Sequence, residues 1–219
     1  MVRKAFAFLL PLLMAGSAVA VPSPGLPASS QRLVYAVHHS RYGDIGTYSN
    51  SVQRAGDATT VTTEAHIKVS ILGVVLYRQE VAREEHWDGD QLISFHGVTT
   101  VNGKPYELTG EAEGENFVLM SPDGPIVAPA SVKIANPWSA NVLRGTTLLT
   151  PDRGRVENVQ MKGGDYRTVT IKGHAMSAKY YEIDRLDGTK RYEVWLDDSG
   201  TPVMFSTYNP NGSITFTLS

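Results

Sequence analysis

The sequence predicts an all-β fold: a single antiparallel, strongly curved sheet or open barrel carrying one short helix. Three observations lead there. From Gln31 to Ser219, apolar stretches of strand length are separated by Asp-Gly, Asn-Gly, Gly-Gly and Pro-Asp-Gly turns, and no segment sustains a 3.6-residue period. Two of those turns specify hairpins residue by residue. Only the stretch from Asn136 to Gly145 carries both a helix start and a helix stop.

The chain opens on a basic pair (Arg3, Lys4), an apolar run from Ala5 to Met14, and Ala18-Val19-Ala20 before Val21. This order is that of a secretory signal peptide over residues 1–20, cut after Ala20, and it places the mature protein in the periplasm or outside the cell. Removal leaves 199 of 219 residues, a length that β-sandwiches and barrels reach as one domain, and moves the formal net charge from −2 to −4. Mild acidity gives no electrostatic footprint for nucleic acid or for an anionic membrane surface. Cysteine is absent, which excludes disulfides, thiol catalysis and a lipid-bearing cysteine after the signal. No later stretch approaches the roughly 18 apolar residues of a membrane helix, so no integral anchor is expected.

Residues 21–30 (VPSPGLPASS) read as a flexible lead-in, and residues 31–219 as the single β domain. Strands are expected near 32–39, 45–54, 58–70, 74–87, 91–101, 104–113, 116–120, 155–161, 166–172, 175–186, 189–197, 202–208 and 213–218. Asn102-Gly103 suits a type I′ turn and sets Val101 opposite Lys104. That register puts Ile93, Phe95, Val101, Tyr106, Leu108 and Ala112 on a core face, and Ser94, His96, Thr100, Glu107, Thr109, Glu111 and Glu113 on a wet face interrupted by Leu92, Val98 and Pro105. The turn at Asp187-Gly188 pairs Ile183 with Tyr192, Tyr181 with Val194 and Lys179 with Leu196. Its other face pairs Tyr180 with Trp195, Glu182 with Glu193 and Asp184 with Arg191. Gly163-Gly164 reads as a further hairpin turn. The helix has Asn136 as N-cap, Pro137 at its first position and Gly145 as its stop, with Trp138 and Val142 packed against the sheet as an end plug or lid.

Ile45-Gly46, Asn136-Pro137-Trp138-Ser139, and Trp195-Leu196-Asp197 with Gly200 resemble a family of secreted bacterial proteins known only as a domain of unknown function, over about residues 31–219. Its layout is similar to that of envelope carriers in which a curved sheet wraps around helices. The resemblance implies an envelope protein with an apolar cavity and brings no catalytic residues.

Candidate chemistry is sparse. Glu84, His86 and Asp88 alternate before a turn, but charged strand ends are common and no metal site is expected. His96 faces Thr109, with Glu107 and Glu111 diagonal to it; this is either a positioned base or an ordinary wet face. Glu182 opposite Glu193 is unfavourable unless relieved. With Tyr180 and Trp195 beside them, the two acids read either as a carboxylate pair of the kind glycoside hydrolysis needs, about 5 to 9 Å apart, or as a face neutralised by Arg191 and Lys179. No GxSxG, GxGxxG or HExxH occurs, so no catalytic residue is assigned and no cofactor is expected. The favoured function is a non-enzymatic binder of an apolar small molecule or lipid, with Trp138, Val142, Tyr180, Glu182, Glu193 and Trp195 as candidate ligand-binding residues. An interaction protein using an exposed sheet face is the alternative, and a carboxylate-pair hydrolase the third reading.

Overall fold

The computed structural model describes residues 28–210 and 212–219, so the expected signal peptide and most of the lead-in lie outside the described residues. The strands are β1 (Ser29–His39), β2 (Gly43–Ala55), β3 (Ala58–Ile71), β4 (Val74–Asp88), β5 (Gln91–Val101), β6 (Lys104–Glu113), β7 (Asn116–Ser121) and β8 (Gly124–Pro129). They continue as β9 (Lys133–Ile134), β10 (Thr147–Thr150), β11 (Arg155–Ile171), β12 (His174–Arg185), β13 (Lys190–Leu196), β14 (Pro202–Asn209) and β15 (Gly212–Leu218). All belong to one 15-stranded sheet in which every neighbouring pair is antiparallel except β9 with β10. The first and last strands pair with each other at its middle, Tyr35 opposite Leu218 and His39 opposite Ile214, and a meander leads outward on either side.

Although β8 and β9 form opposite edges of this sheet, only Ala130, Ser131 and Val132 separate them in sequence. So short a link spans about 14 Å when extended. The sheet must therefore curl until its edges nearly meet, giving an open barrel. Gly46 is needed for the curl: at φ 150° its backbone lies against β3, and a Cβ there would sit 1.9 Å from the His66 carbonyl oxygen.

Val132, Ile134, Asn136 and Trp138 are all buried, because the chain runs through the barrel interior after crossing between the edges. Apolar side chains pack on either side of this segment. One cluster holds Trp87, Leu92, Phe95, Leu108, Phe117 and Trp138, and the other gathers around Tyr35, Tyr48 and Phe205. A third, of Val169, Ile171, Ala178 and Val203, lies towards the β11–β12 hairpin.

The Asn102-Gly103 hairpin has the expected register from Val101↔Lys104 to Ser94↔Glu111. Its face assignment needs one correction. A bulge in the β4–β5 pairing between His86 and Trp87 turns Leu92 inward, fully buried, and leaves Ile93 exposed. The second hairpin keeps its register from Lys179↔Leu196 to Ile183↔Tyr192, then a bulge pairs Asp184 with Lys190 instead of Arg191. Gly163-Gly164 is not a turn. It is a bulge inside one long strand, β11, which replaces the two strands expected over 155–172.

The helix is corrected as well. It is a 3-10 turn, Ala140–Arg144, capped by the Ser139 hydroxyl accepting from the Asn141 amide at 3.1 Å, with Gly145 as its C-cap. Asn136 and Pro137 precede it because the Asn136 side chain is engaged elsewhere. Three strands, β8, β9 and β10, come from segments in which no strand was expected; β9 and β10 are too short to show alternation.

Candidate functional site

Above the crossing segment the barrel is not filled. A cavity of about 820 Å³ opens there, walled by the inward-facing, alternate residues of β2, β3, β4, β14 and β15 and floored by Ala135 and Pro137. Ile45, Tyr48, Ala65, Ile67, Val69 and Val81 make one wall, and Phe205, Ile214 and Phe216 the other. The Phe205 and Phe216 rings are stacked at 4.3 Å, and Tyr48 meets both edge-on, at 5.8 and 5.3 Å. Volume and lining lie in the ordinary range for a small-molecule pocket, about 300–1,000 Å³.

The polar lining is one-sided: it includes Arg83, Arg153, Arg155 and Arg191 against one carboxylate, Asp152. Arg83 is almost fully enclosed. Its Nη2 donates to Asp152 and, at 3.3 Å, to Thr99 Oγ1, whereas its Nε is buried with no hydrogen-bond partner among the described residues. Arg191 is the extra residue of the β12–β13 bulge, which turns it towards the cavity, where its Nε donates to Glu157 Oε2 at 3.0 Å. Burial pushes the Glu157 carboxyl up, but hydrogen bonds from Arg185 and Arg191 outweigh it and hold the group below the usual range.

Beneath the floor lies a closed polar network. Glu85 is fully buried and accepts from Trp87 Nε1 at 3.0 Å, Trp138 Nε1 at 3.1 Å and Asn136 Nδ2 at 2.7 Å. Asn136 Oδ1 accepts from the Tyr48 hydroxyl at 2.6 Å and from Asn50 Nδ2 at 3.0 Å. Thr63 donates to Asn50 Oδ1 at 2.7 Å and accepts from Asn136 Nδ2 at 3.0 Å. This is what the Asn136-Pro137-Trp138 motif does: it ties the crossing segment to β2, β3 and β4. Burial pushes the Glu85 carboxyl up to about 6, partly offset by hydrogen bonds from Asn136 and the two indoles. Burial likewise raises the Tyr48 phenol.

The six sequence-selected residues sit apart from the cavity lining. Trp138 is buried against Trp87, ring centres 5.9 Å apart, and its indole serves Glu85. Val142 borders a small void beside Pro137 and does not line the cavity. Tyr180, Glu182, Glu193 and Trp195 do come together, in the expected register, but not on an open face: Tyr180 is 2% exposed, with the Arg167 guanidinium 3.4 Å from its ring centre and Trp195 at 4.9 Å. Its hydroxyl lies 2.6 Å from Glu182 Oε1 and 2.5 Å from Glu193 Oε1. Lys190, rather than Arg191 or Lys179, neutralises the pair, with Nζ 2.9 Å from Glu193 and 3.4 Å from Glu182, and Tyr208 donates to Glu193 as well. For Glu193 burial raises the carboxyl, yet the bonds from Tyr180, Tyr208 and Lys190 hold it below its usual range. Burial and the adjoining Glu193 push Tyr208 up to about 12.

Elsewhere, His96 Nε2 meets Glu107 Oε1 at 2.9 Å on an exposed face, and His86 bonds to Glu84 and Thr60. Among the described residues no group of three or more histidine, aspartate or glutamate side chains gathers to hold a metal ion. Sequence reasoning missed the cavity arginines and Glu85. A signal was present for two of them: Val81, Arg83, Glu85 and Trp87 alternate on one face of β4, and the apolar ends of that series place its charged middle inside.

Among solved structures, the chain is similar to a β-barrel-like protein of the DUF1849 family from Brucella abortus, with a TM-score of 0.64 and 12% identity over 86% of this chain and 94% of that one. A DUF1089 family protein from Pseudomonas aeruginosa aligns at a TM-score of 0.36 and 14% identity over 87% of this chain and 94% of that one, too low for a comparison of folds. No curated protein matches the chain. The family described as a domain of unknown function, DUF6134, matches residues 35–219, nearly the whole of the described barrel, and the chain belongs to it.

Proposed function

We propose that this protein is an exported, non-enzymatic binder of a lipid-like amphiphile, acting in the periplasm or outside the cell. One observation carries the reading: a cavity of about 820 Å³ with apolar walls and an arginine-rich polar lining. Apolar walls favour a hydrocarbon chain, and Arg83, Arg155 and Arg191 favour an acidic head, because guanidinium pairs with carboxylate or phosphate in a bidentate fork.

A binder is favoured over a hydrolase because Glu182 and Glu193 are occupied by Tyr180, Lys190 and Tyr208 and border neither the cavity nor the small void beside Pro137. The interaction-protein alternative called for a solid core, and the cavity argues against it.

The test is lipid extraction and mass spectrometry of protein purified from the compartment to which it is exported, beside an Ala65→Trp variant. Ala65 faces the cavity from β3 and is almost fully buried, so the larger side chain fills the space. Wild-type protein is expected to retain an acidic amphiphile and the variant to lose it. Equal retention by both, or none by the folded wild type, overturns the reading.

A further inference from the structure

The turn between β3 and β4 projects past its neighbours in the sheet, although Val69 at its base is buried in the core. Pairing of β2 with β3 begins at Ile67, and pairing of β4 with β5 begins at Gln79, so residues 68–78 extend past both neighbours as a two-stranded ribbon. Its four β3 residues carry it about 13 Å beyond the sheet. Asn102 of the adjacent turn braces the base, exchanging bonds of 2.8 and 2.9 Å with the Arg78 backbone.

The end of this ribbon is Ile71-Leu72-Gly73-Val74-Val75-Leu76. It holds five of the eleven large apolar side chains that are exposed among the described residues, and Leu72 is 99% exposed. Leu72 also adopts φ 51°, in the left-handed region where Asn, Asp or Gly is the ordinary choice; Asn102 and Lys172, at φ 50° and 52°, are polar. A leucine here costs backbone strain and exposed apolar area together, and nothing in the fold gains from either.

Charge below the tip is basic. Lys68 and Arg78 pair directly across the ribbon, an unfavourable arrangement only partly relieved by Glu80, which bonds Arg78. The tip adjoins the cavity, since Leu76, Tyr77 and Val69 line it together with Tyr42, itself half-exposed on the β1–β2 turn beside Arg41.

We propose that this ribbon is a membrane-docking tip that enters the headgroup layer of an anionic bilayer and sets the cavity mouth against lipid. The ribbon is narrow and its tip exposes apolar side chains along both strands, which suits surroundings that are apolar on all sides better than a groove on a protein partner. Its unpaired strand edges keep it out of the hydrocarbon centre, where such groups go unsatisfied. A depth of about 5–10 Å is what interfacial segments reach, within the projection of the ribbon. Lys68 and Arg78 then meet acidic headgroups. The formal charge of the whole chain gives no hint of this, because the basic pair is local.

Flotation with vesicles of phosphatidylglycerol and phosphatidylcholine in equal parts tests it, using protein beginning at Val21 so that the apolar run of residues 5–14 does not itself bind lipid. Wild-type protein is expected to float with these vesicles, less with phosphatidylcholine alone and less at high salt. Leu72→Asp with Val74→Asp is expected to lower partition by about tenfold or more, and Lys68→Glu to remove the preference for anionic lipid. Both positions of the double variant are exposed, so its fold is retained, and its binding of anilinonaphthalene sulfonate in the cavity should be unchanged. That second readout separates failure of the docking proposal from failure of the binder reading. Equal flotation of wild type and double variant, or no flotation of wild type, overturns the proposal. So does self-association that the double variant abolishes in the absence of vesicle binding, which would make a second copy the occupant.

Discussion

Arg83 in β4 and Asp152 in the turn before β11 form an ion pair across 69 positions of sequence, with the Arg83 side chain 4% exposed and that of Asp152 47% exposed. The pair closes one side of the cavity. Asp152 is the half-exposed anion that balances the buried guanidinium, and an acidic ligand head would compete for the same donors.

Asp152→Ala is therefore expected to cost about 2 kcal/mol of stability, in line with loss of a hydrogen bond to a charged group. Oleate should then raise the urea midpoint of the variant by more than it raises that of wild type. Equal midpoint shifts in the two proteins would detach the ion pair from ligand recognition.

Trp138→Ala should lose about 3–5 kcal/mol, because a buried indole is removed and a cavity left behind. Glu85 would also lose one of its three donors. Binding of anilinonaphthalene sulfonate at a temperature where the variant is folded should match wild type, since the indole does not line the cavity. Weakened binding with little change in stability would reverse the assignment and make Trp138 part of the ligand site.

Glu85 makes a pH prediction. Its folded-state pKa is raised from 4.5 to about 6, so the folded protein holds the proton more tightly than the unfolded chain. The stabilisation is fully present below pH 4.5 and fades as pH rises through 6, by about 2 kcal/mol in all. Glu157 and Glu193, whose carboxyls lie below the usual range, contribute the opposite trend, present above pH 4.5 and lost on acidification. Denaturation midpoints between pH 4 and 8 for wild type and Glu85→Gln isolate the first contribution: the wild-type advantage should shrink between about pH 4.5 and 6. Parallel curves would show that Glu85 does not titrate there.

The Asn-Gly and Asp-Gly hairpins were legible in the sequence because turn chemistry acts over a few residues and the strand period fixes every side chain after it. What spoiled individual faces was the bulge, one extra residue that sequence periodicity does not announce, at Leu92, at Arg191 and at Gly163-Gly164. The Glu182 and Glu193 pair was found by register alone, but its burial was not: Arg167 reaches Tyr180 only because β11 runs on past its bulge.

By itself the sequence determined an all-β chain, most of its strands and two hairpin registers, since alternation and turn residues are local properties of the backbone. Tertiary structure alone decided that β1 pairs with β15, that Ala130–Val132 draws the sheet edges together, and that Asn136 reaches Tyr48 across 88 positions. It thereby decided where the cavity lies and which arginines face it. Those contacts join segments far apart in the chain, where each side chain's partner depends on how the whole sheet curls, and no pattern within either segment specifies that curl.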